Sequence, residues 1–301
     1  AKAELCGSTR MGLIKYVMAL MNGARLGIAA QSVGLSQAAY NEGLAYARDR
    51  EQFGKAIIEM PAVYDMLATI KAKLDAGRAL LYHCARAVDV YKALEDVSRE
   101  RKLTAEERAE MKAYNKLADY LTPLAKGMNS EYCNQNTYDS LQIHGGSGFM
   151  MDYPIQRYAR DARITSIYEG TTQLQVVAAI RFVMNGAYLA HLRELEQQEV
   201  SPEMQELQER ARKMADSFEA AVERVKAAGV QEYQDICARH LVEMAADTLM
   251  LHLLTYNATQ APELFAKSAR VYARYAAAEV EKHATFVNEL SPEDLDSYRQ
   301  A

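Results

Sequence analysis

Thr104-Ala105-Glu106-Glu107 reads as a capping box, with Thr104 as N-cap and Glu107 at N3. The run that follows is rich in Ala, Leu, Met, Glu, Lys and Arg, the residues that favour helix. It predicts one helix from Thr104 to about Leu141, with a kink expected at Pro123. The same texture extends in both directions. Upstream, Met11 to Arg48 reads as a long helix, with Leu13, Val17, Leu20, Met21, Leu26, Ile28, Val33 and Leu35 among its apolar positions. Pro61 opens a second helix reaching Asp89 or beyond, and Glu95 to Thr104 is dense in charge, as a solvated helix end and loop would be. Downstream, Glu169 or Thr171 starts a fourth helix to about Asn185. Alternating β-branched and aromatic runs are nearly absent, so the fold class is all-α.

Composition shifts after Leu192. Ser201-Pro202-Glu203 offers an N-cap and a proline at N1, and Met204, Leu207, Ala211, Met214, Phe218, Ala221 and Val225 follow at helical spacing up to Gly229, a C′ stop. Helices over about Tyr233 to Ala258 and Pro262 to Leu290 come next, and Ser291-Pro292-Glu293 caps a last short one. This portion reads as a separate antiparallel bundle, and the chain divides into 1–192 and 193–301.

The 301 residues carry a net charge of -5 and are 50% hydrophobic, enough for a sizeable core and no signature of a nucleic-acid partner. No apolar run is long enough for an integral membrane span. Cys6, Cys84, Cys133 and Cys237 are scattered, as reduced thiols of a cytoplasmic protein would be. The histidines are dispersed without metal-ligand spacing, so no metal is expected. The chain does not begin with Met, and Ala1 to Arg10 read as the edge of a fragment of a longer protein.

Three segments stand out for chemistry. Glu169-Gly170-Thr171-Thr172-Gln173 sets a carboxylate at a helix start; it is either a general base aimed into a cleft or an acid stabilised by the helix dipole. Gln142-Ile143-His144-Gly145-Gly146-Ser147-Gly148-Phe149 is glycine-rich, so its backbone can approach a ligand or simply turn; no strand precedes it, and it is not a dinucleotide fingerprint. Arg50-Glu51-Gln52-Phe53-Gly54 closes the first helix and presents either a cation and an aromatic ring or a cap with a hydrophobic anchor. Between the second segment and Glu169, ion pairs among Arg157, Arg160, Arg163, Asp152 and Asp161 are expected to hold a loop in place.

With Asn22-Gly23-Ala24-Arg25-Leu26-Gly27-Ile28-Ala29-Ala30-Gln31 as a fourth piece, the order and spacing of these segments resemble the C-terminal half of an acyl-CoA dehydrogenase over about residues 10 to 190. The resemblance implies a four-helix up-down bundle followed by the second bundle, FAD as cofactor, and oxidation of an acyl-CoA thioester to its trans-2-enoyl form. It implies Glu169 as the base that removes the α-proton; some members carry the base where this chain has Ala24. Asn22, Arg25 and Gly170 match substrate contacts. Arg50 and Phe53 match contacts to the FAD of a neighbouring subunit. Gln142, Gly145 and Gly146 match contacts to the adenine-pyrophosphate end, and Thr171 and Gln173 match flavin-nucleotide contacts. A homodimer or homotetramer and an electron-transferring flavoprotein follow by the same analogy.

The sequence departs from the pattern at Pro61, where many members have a glutamine that touches flavin. The tail beyond about 195 is similar to the extra helical domain of larger bacterial members, including those acting on 3-methylthiopropanoyl-CoA. The N-terminal helical domain and the β-domain of the family lie outside this chain, so a catalytically inactive helical oligomerisation or interaction fragment is the alternative function.

Overall fold

The computed structural model describes residues 2–5, 12 and 17–299. Cys6, Met11 and Leu13 lie outside the described residues. The first helix, α1, spans Met18–Asp49. A two-residue antiparallel ribbon, β1 (Glu51–Gln52) and β2 (Lys55–Ala56), pairs Glu51 with Ala56 and Gln52 with Lys55. The long α2 (Pro61–Glu100) and α3 (Ala105–His144) follow. Then come α4 (Gly146–Phe149), α5 (Ile155–Thr165), α6 (Thr172–Met184) and α7 (Ala187–Leu195). The chain ends in α8 (Gln205–Ala228), α9 (Gln231–Gln260), α10 (Pro262–Glu289) and α11 (Asp296–Arg299).

The expected helices form, and most of their signals do the expected work. Thr104 Oγ1 accepts from Glu107 N at 3.1 Å while Thr104 N donates to Glu107 Oε2 at 2.8 Å. α3 runs through Pro123 without a break. Gly229 sits at φ 64 as the left-handed stop of α8. Ser201 makes no side-chain cap; Pro202–Met204 is instead a single 3₁₀ turn before α8.

Two expectations are corrected. The segment read as an ion-paired loop is the helix α5, and no salt bridge among Arg157, Arg160, Arg163, Asp152 and Asp161 forms among the described residues. Arg163 bonds Ser166, Arg160 reaches Gln156, and Arg157 lies over the Tyr158 ring. The second correction concerns the two readings of Arg50–Gly54: Phe53 is 93% exposed, so the hydrophobic-anchor alternative fails.

Side-chain pairings set the directions. Arg78 bonds Gln37, so α2 runs back along α1. Lys73 bonds Gln135, so α3 reverses again. Ser140 donates to Ala39 O, leaving α1 and α3 parallel, and Tyr188 donates to Tyr120 O behind the returning α6. The result is an up-down-up-down bundle of α1, α2, α3 and α6. Gly77 makes room for Asn129 of α3, since a Cβ there would lie 2.1 Å from Asn129 Oδ1. The second bundle, α8 to α10, is antiparallel, with His240 of α9 beside His283 of α10 at 2.8 Å. One continuous apolar core joins the bundles, running from Leu80 and Leu121 through Val176 to Phe218, Leu249 and Tyr272. At that junction Asp75 of α2 accepts from Ser268 of α10 at 2.6 Å.

Candidate functional site

The link between α5 and α6 is a turn with two successive residues in the left-handed region, Glu169 at φ 55 and Gly170 at φ 92. Glu169 is held there at a cost of about 1–2 kcal/mol for an L side chain. Gly170 suits its φ of 92, and a Cβ there would lie 2.7 Å from Gln175 Nε2 and displace that amide. The next residue, Thr171, caps α6 by accepting from Leu174 N at 3.3 Å. The turn therefore places the half-buried Glu169 at the mouth of a helix N-terminus, with its backbone carbonyls facing inward.

Those carbonyls are gripped by three side chains. Arg25 Nε donates to Glu169 O at 3.4 Å. Lys126 Nζ donates to Gly170 O at 2.7 Å, and Gln175 Nε2 donates to the same oxygen at 3.0 Å. Arg25 is nearly buried and Lys126 fully so. Asn22 accepts from Arg25 Nη1 at 3.3 Å. Burial lowers the Arg25 guanidinium from its ordinary value against the pull of Glu169, and burial lowers Lys126 to about 8 against the pull of Glu131 and Glu169. Two cations thus flank the Glu169 turn. Tyr168 bonds Gln31, and Thr172 bonds Glu131, which lies 3.9 Å from Arg239 of α9. The second bundle therefore reaches the shell behind the turn.

Asn22, Arg25, Glu169, Gly170 and Thr171 gather in this one place. Gln173 stands exposed on α6 just beyond. Arg50, Phe53, Gln142, Gly145 and Gly146 gather elsewhere, at the other end of α1. At 1.5 Å per residue, Asn22 and Arg50 are about 40 Å apart along the helix.

The second place is a cavity of about 330 Å³ lined by Glu42, Tyr46, Asp49, Arg50, His144, Ser147 and Tyr153 among others. His144 is buried, its Nδ1 lies 2.7 Å from Ser140 O, and its Nε2 has no hydrogen-bond partner among the described residues. Burial lowers its pKa, so the ring is neutral, Nδ1–H donates to Ser140 O, and Nε2 is a free acceptor. Tyr46 stacks on it at 4.4 Å. Gly148 lets α4 fold against α3, because a Cβ would meet Leu141 O at 2.7 Å.

Lys126, Gln175 and Glu131 were not among the residues expected from sequence. One signal was available: Thr122, Lys126, Ser130, Cys133, Thr137, Ser140 and His144 recur at helical spacing on α3, and all are buried. A lysine in that stripe is a charge on an inward face. Among the described residues no group of three or more His, Cys, Asp or Glu is arranged to hold a metal ion, and no helix is long and apolar enough to cross a membrane.

Two family models match the chain: "Acyl-CoA dehydrogenase, C-terminal domain" over residues 26–173 and "Acyl-CoA dehydrogenase C terminal" over 184–295. A caffeyl-CoA reductase–Etf complex subunit of Acetobacterium woodii is 36% identical over 158 residues, 52% of this chain and 35% of that protein. The acryloyl-CoA reductase (NADH) of Anaerotignum propionicum is 36% identical over 182 residues, 60% of this chain and 40% of its own length. An acyl-CoA dehydrogenase of Bacillus subtilis is 34% identical over 185 residues, 62% and 42% of the two chains. The chain thus spans well under half the length of these relatives. In fold, it superposes on an acyl-CoA dehydrogenase complexed with FAD from Bacillus anthracis with a TM-score of 0.73 at 21% identity, covering 90% of this chain and 49% of that one.

Proposed function

This chain belongs to the acyl-CoA dehydrogenase family, whose C-terminal portion it carries, and on that premise we propose that it supplies the catalytic base of an FAD-dependent acyl-CoA dehydrogenase. The substrate is an acyl-CoA thioester and the product its trans-2-enoyl-CoA. The observation that carries this reading is the Glu169 turn: a carboxylate held in strained backbone at a helix start, between Arg25 and Lys126. Strain of this kind collects where a side chain must be aimed.

Glu169 takes the α-proton, made acidic by the neighbouring thioester carbonyl, and becomes the neutral acid. FAD, held by the residues named below, would supply the acceptor for the β-hydrogen leaving as hydride. In the reductive direction named for two of the relatives, the same carboxyl returns the proton. Asn22, Arg25 and Gly170 border the substrate side of the turn, and Thr171 and Gln173 face the flavin nucleotide. Arg50, Phe53, Gln142, Gly145 and Gly146 hold the adenine-pyrophosphate end, where the Arg50 cation suits an anionic phosphate and the Nε2 acceptor of His144, near Glu42 and Asp49, suits a hydroxyl or amino donor.

The two clusters are about 40 Å apart on one helix, farther than one dinucleotide reaches. Each FAD is therefore shared between two chains, and the protein works as a homodimer or homotetramer. An electron-transferring flavoprotein takes the electrons, in keeping with the Etf complex named for one relative. We place the domain boundary near 192/193, in the last turn of α7 (Ala187–Leu195), and the protein in the cytoplasm. The 193–301 bundle buttresses α6 and the Glu131 shell from behind.

A flavin absorbance band in the purified protein and turnover of an acyl-CoA with an artificial electron acceptor test the reading. Turnover that survives Glu169→Gln on every accepted acyl-CoA would sink the base assignment. A protein without flavin or turnover would leave the oligomerisation module as the function.

A further inference from the structure

The geometry points to Lys126 as the positioning residue that holds the Glu169–Gly170 turn, and with it the direction of the Glu169 carboxylate. This rests on the proposed role of Glu169 as base.

Lys126 lies in the middle of α3, fully buried, in a place where a methionine would fill the same space without a charge. A buried ammonium is costly unless something answers it. No carboxylate stands within salt-bridge distance of Lys126 among the described residues. Its direct partner is the carbonyl of Gly170 at 2.7 Å. The charged groups that face it are Glu131 on its own helix, Glu169 on the turn, and Arg25 on α1, which opposes it. A charge retained at that cost, whose hydrogen bond among the described residues goes to the residue after a strained carboxylate, acts on the turn.

The strain supplies the second half of the argument. Glu169 at φ 55 stays there only if its surroundings over-determine the backbone. Arg25 secures the Glu169 carbonyl from α1, and Lys126 and Gln175 secure the Gly170 carbonyl from α3 and α6. Of these bonds, that from Lys126 is the shortest, and its donor is the more deeply buried of the two charges. Without it the turn relaxes toward right-handed backbone and the carboxylate swings out of line.

The test compares wild type with Lys126→Met and Lys126→Arg in the purified, FAD-loaded protein. The first readout is amide hydrogen exchange across residues 167–173. In Lys126→Met it rises about tenfold to a hundredfold, the change in local opening that loss of a charged donor brings, while the rest of α6 keeps its protection. Lys126→Arg, which keeps charge and donors, stays within about threefold of wild type. The second readout is turnover of an acyl-CoA: kcat falls at least about tenfold in Lys126→Met with KM moved less than about threefold, because substrate contacts remain while the base is misaimed. Wild-type kcat declines above about pH 8, where Lys126 loses its proton, and Lys126→Arg removes that decline. If Lys126→Met does not unfold cooperatively, Lys126→Gln, whose amide is too short to reach the carbonyl, carries the same expectations. Unchanged exchange across the turn in a folded Lys126→Met protein overturns the inference, whatever the turnover. A wild-type protein without turnover overturns the dehydrogenase reading instead, and the exchange measurement then decides on Lys126 alone.

Discussion

Tyr132 on α3 donates a hydrogen bond of 2.6 Å to Asp247 on α9, tying the first bundle to the second through a carboxylate buried in the shared core. Tyr272 of α10 donates to the same oxygen at 2.9 Å. Burial pushes the Asp247 carboxyl up to about 6, although the two tyrosine hydroxyls pull it down. A carboxyl with a raised folded pKa binds more protons folded than unfolded. Its contribution is thus fully present below the unfolded value near 3.8 and is lost as pH rises through about 6.

Asp247→Asn keeps an acceptor for the tyrosines and removes the titration. Urea unfolding between pH 4 and 7 should therefore show a flatter stability profile than wild type, with the variant gaining up to about 3 kcal/mol relative to wild type across that window. Asp247→Leu removes the acceptor and should cost about 1–3 kcal/mol at pH 5. A wild-type profile as flat as that of Asp247→Asn would contradict the raised pKa.

Glu169 poses a trade between stability and function. Glu169→Gly relieves the left-handed strain and should raise stability by about 1 kcal/mol in thermal or urea unfolding while abolishing turnover. Glu169→Gln keeps the strain and should leave stability within about 0.5 kcal/mol, with kcat lower by about 10²–10⁴. A destabilised Glu169→Gly would show that the turn is not strained.

Gly148→Ala should destabilise the protein by about 1–3 kcal/mol, because its Cβ would press on the Leu141 carbonyl and force α4 away from α3. The same shift opens the His144 cavity, so flavin retained through gel filtration should fall with it. A variant with wild-type stability and full flavin content would refute the close approach.

Subunit sharing is tested by complementation. Arg50→Ala and Glu169→Gln proteins should each be impaired alone. Refolded together as a random mixture of dimers, they should recover about a quarter of wild-type activity, since half of the dimers are mixed and each holds one intact site. Recovery no greater than the mean of the two parents would mean that each site is built within one chain.

Much of this architecture was legible in the primary structure because helix signals are local. The Thr104–Glu107 box, Pro61 at the start of α2 and Gly229 at the end of α8 each act within one helical turn, and each stands where it was read. Four segments, around Asn22, Arg50, Gln142 and Glu169, were marked by order and spacing. α5 escaped because its charges read as a loop, although its buried residues Ile155, Ala162 and Thr165 keep a helical interval.

The chain by itself determined most of the helices, several of their stops, and that Glu169 precedes a glycine able to turn left-handed. Those properties depend on neighbours within about four residues. Only the tertiary structure decided that the four segments form two clusters at opposite ends of α1, that the His144 Nε2 is left free, and that Lys126 closes on the Gly170 carbonyl from 44 positions away. Those relations arise from the parallel course of α1 and α3 and the return of α6, set by packing across the shared core, which no local pattern encodes.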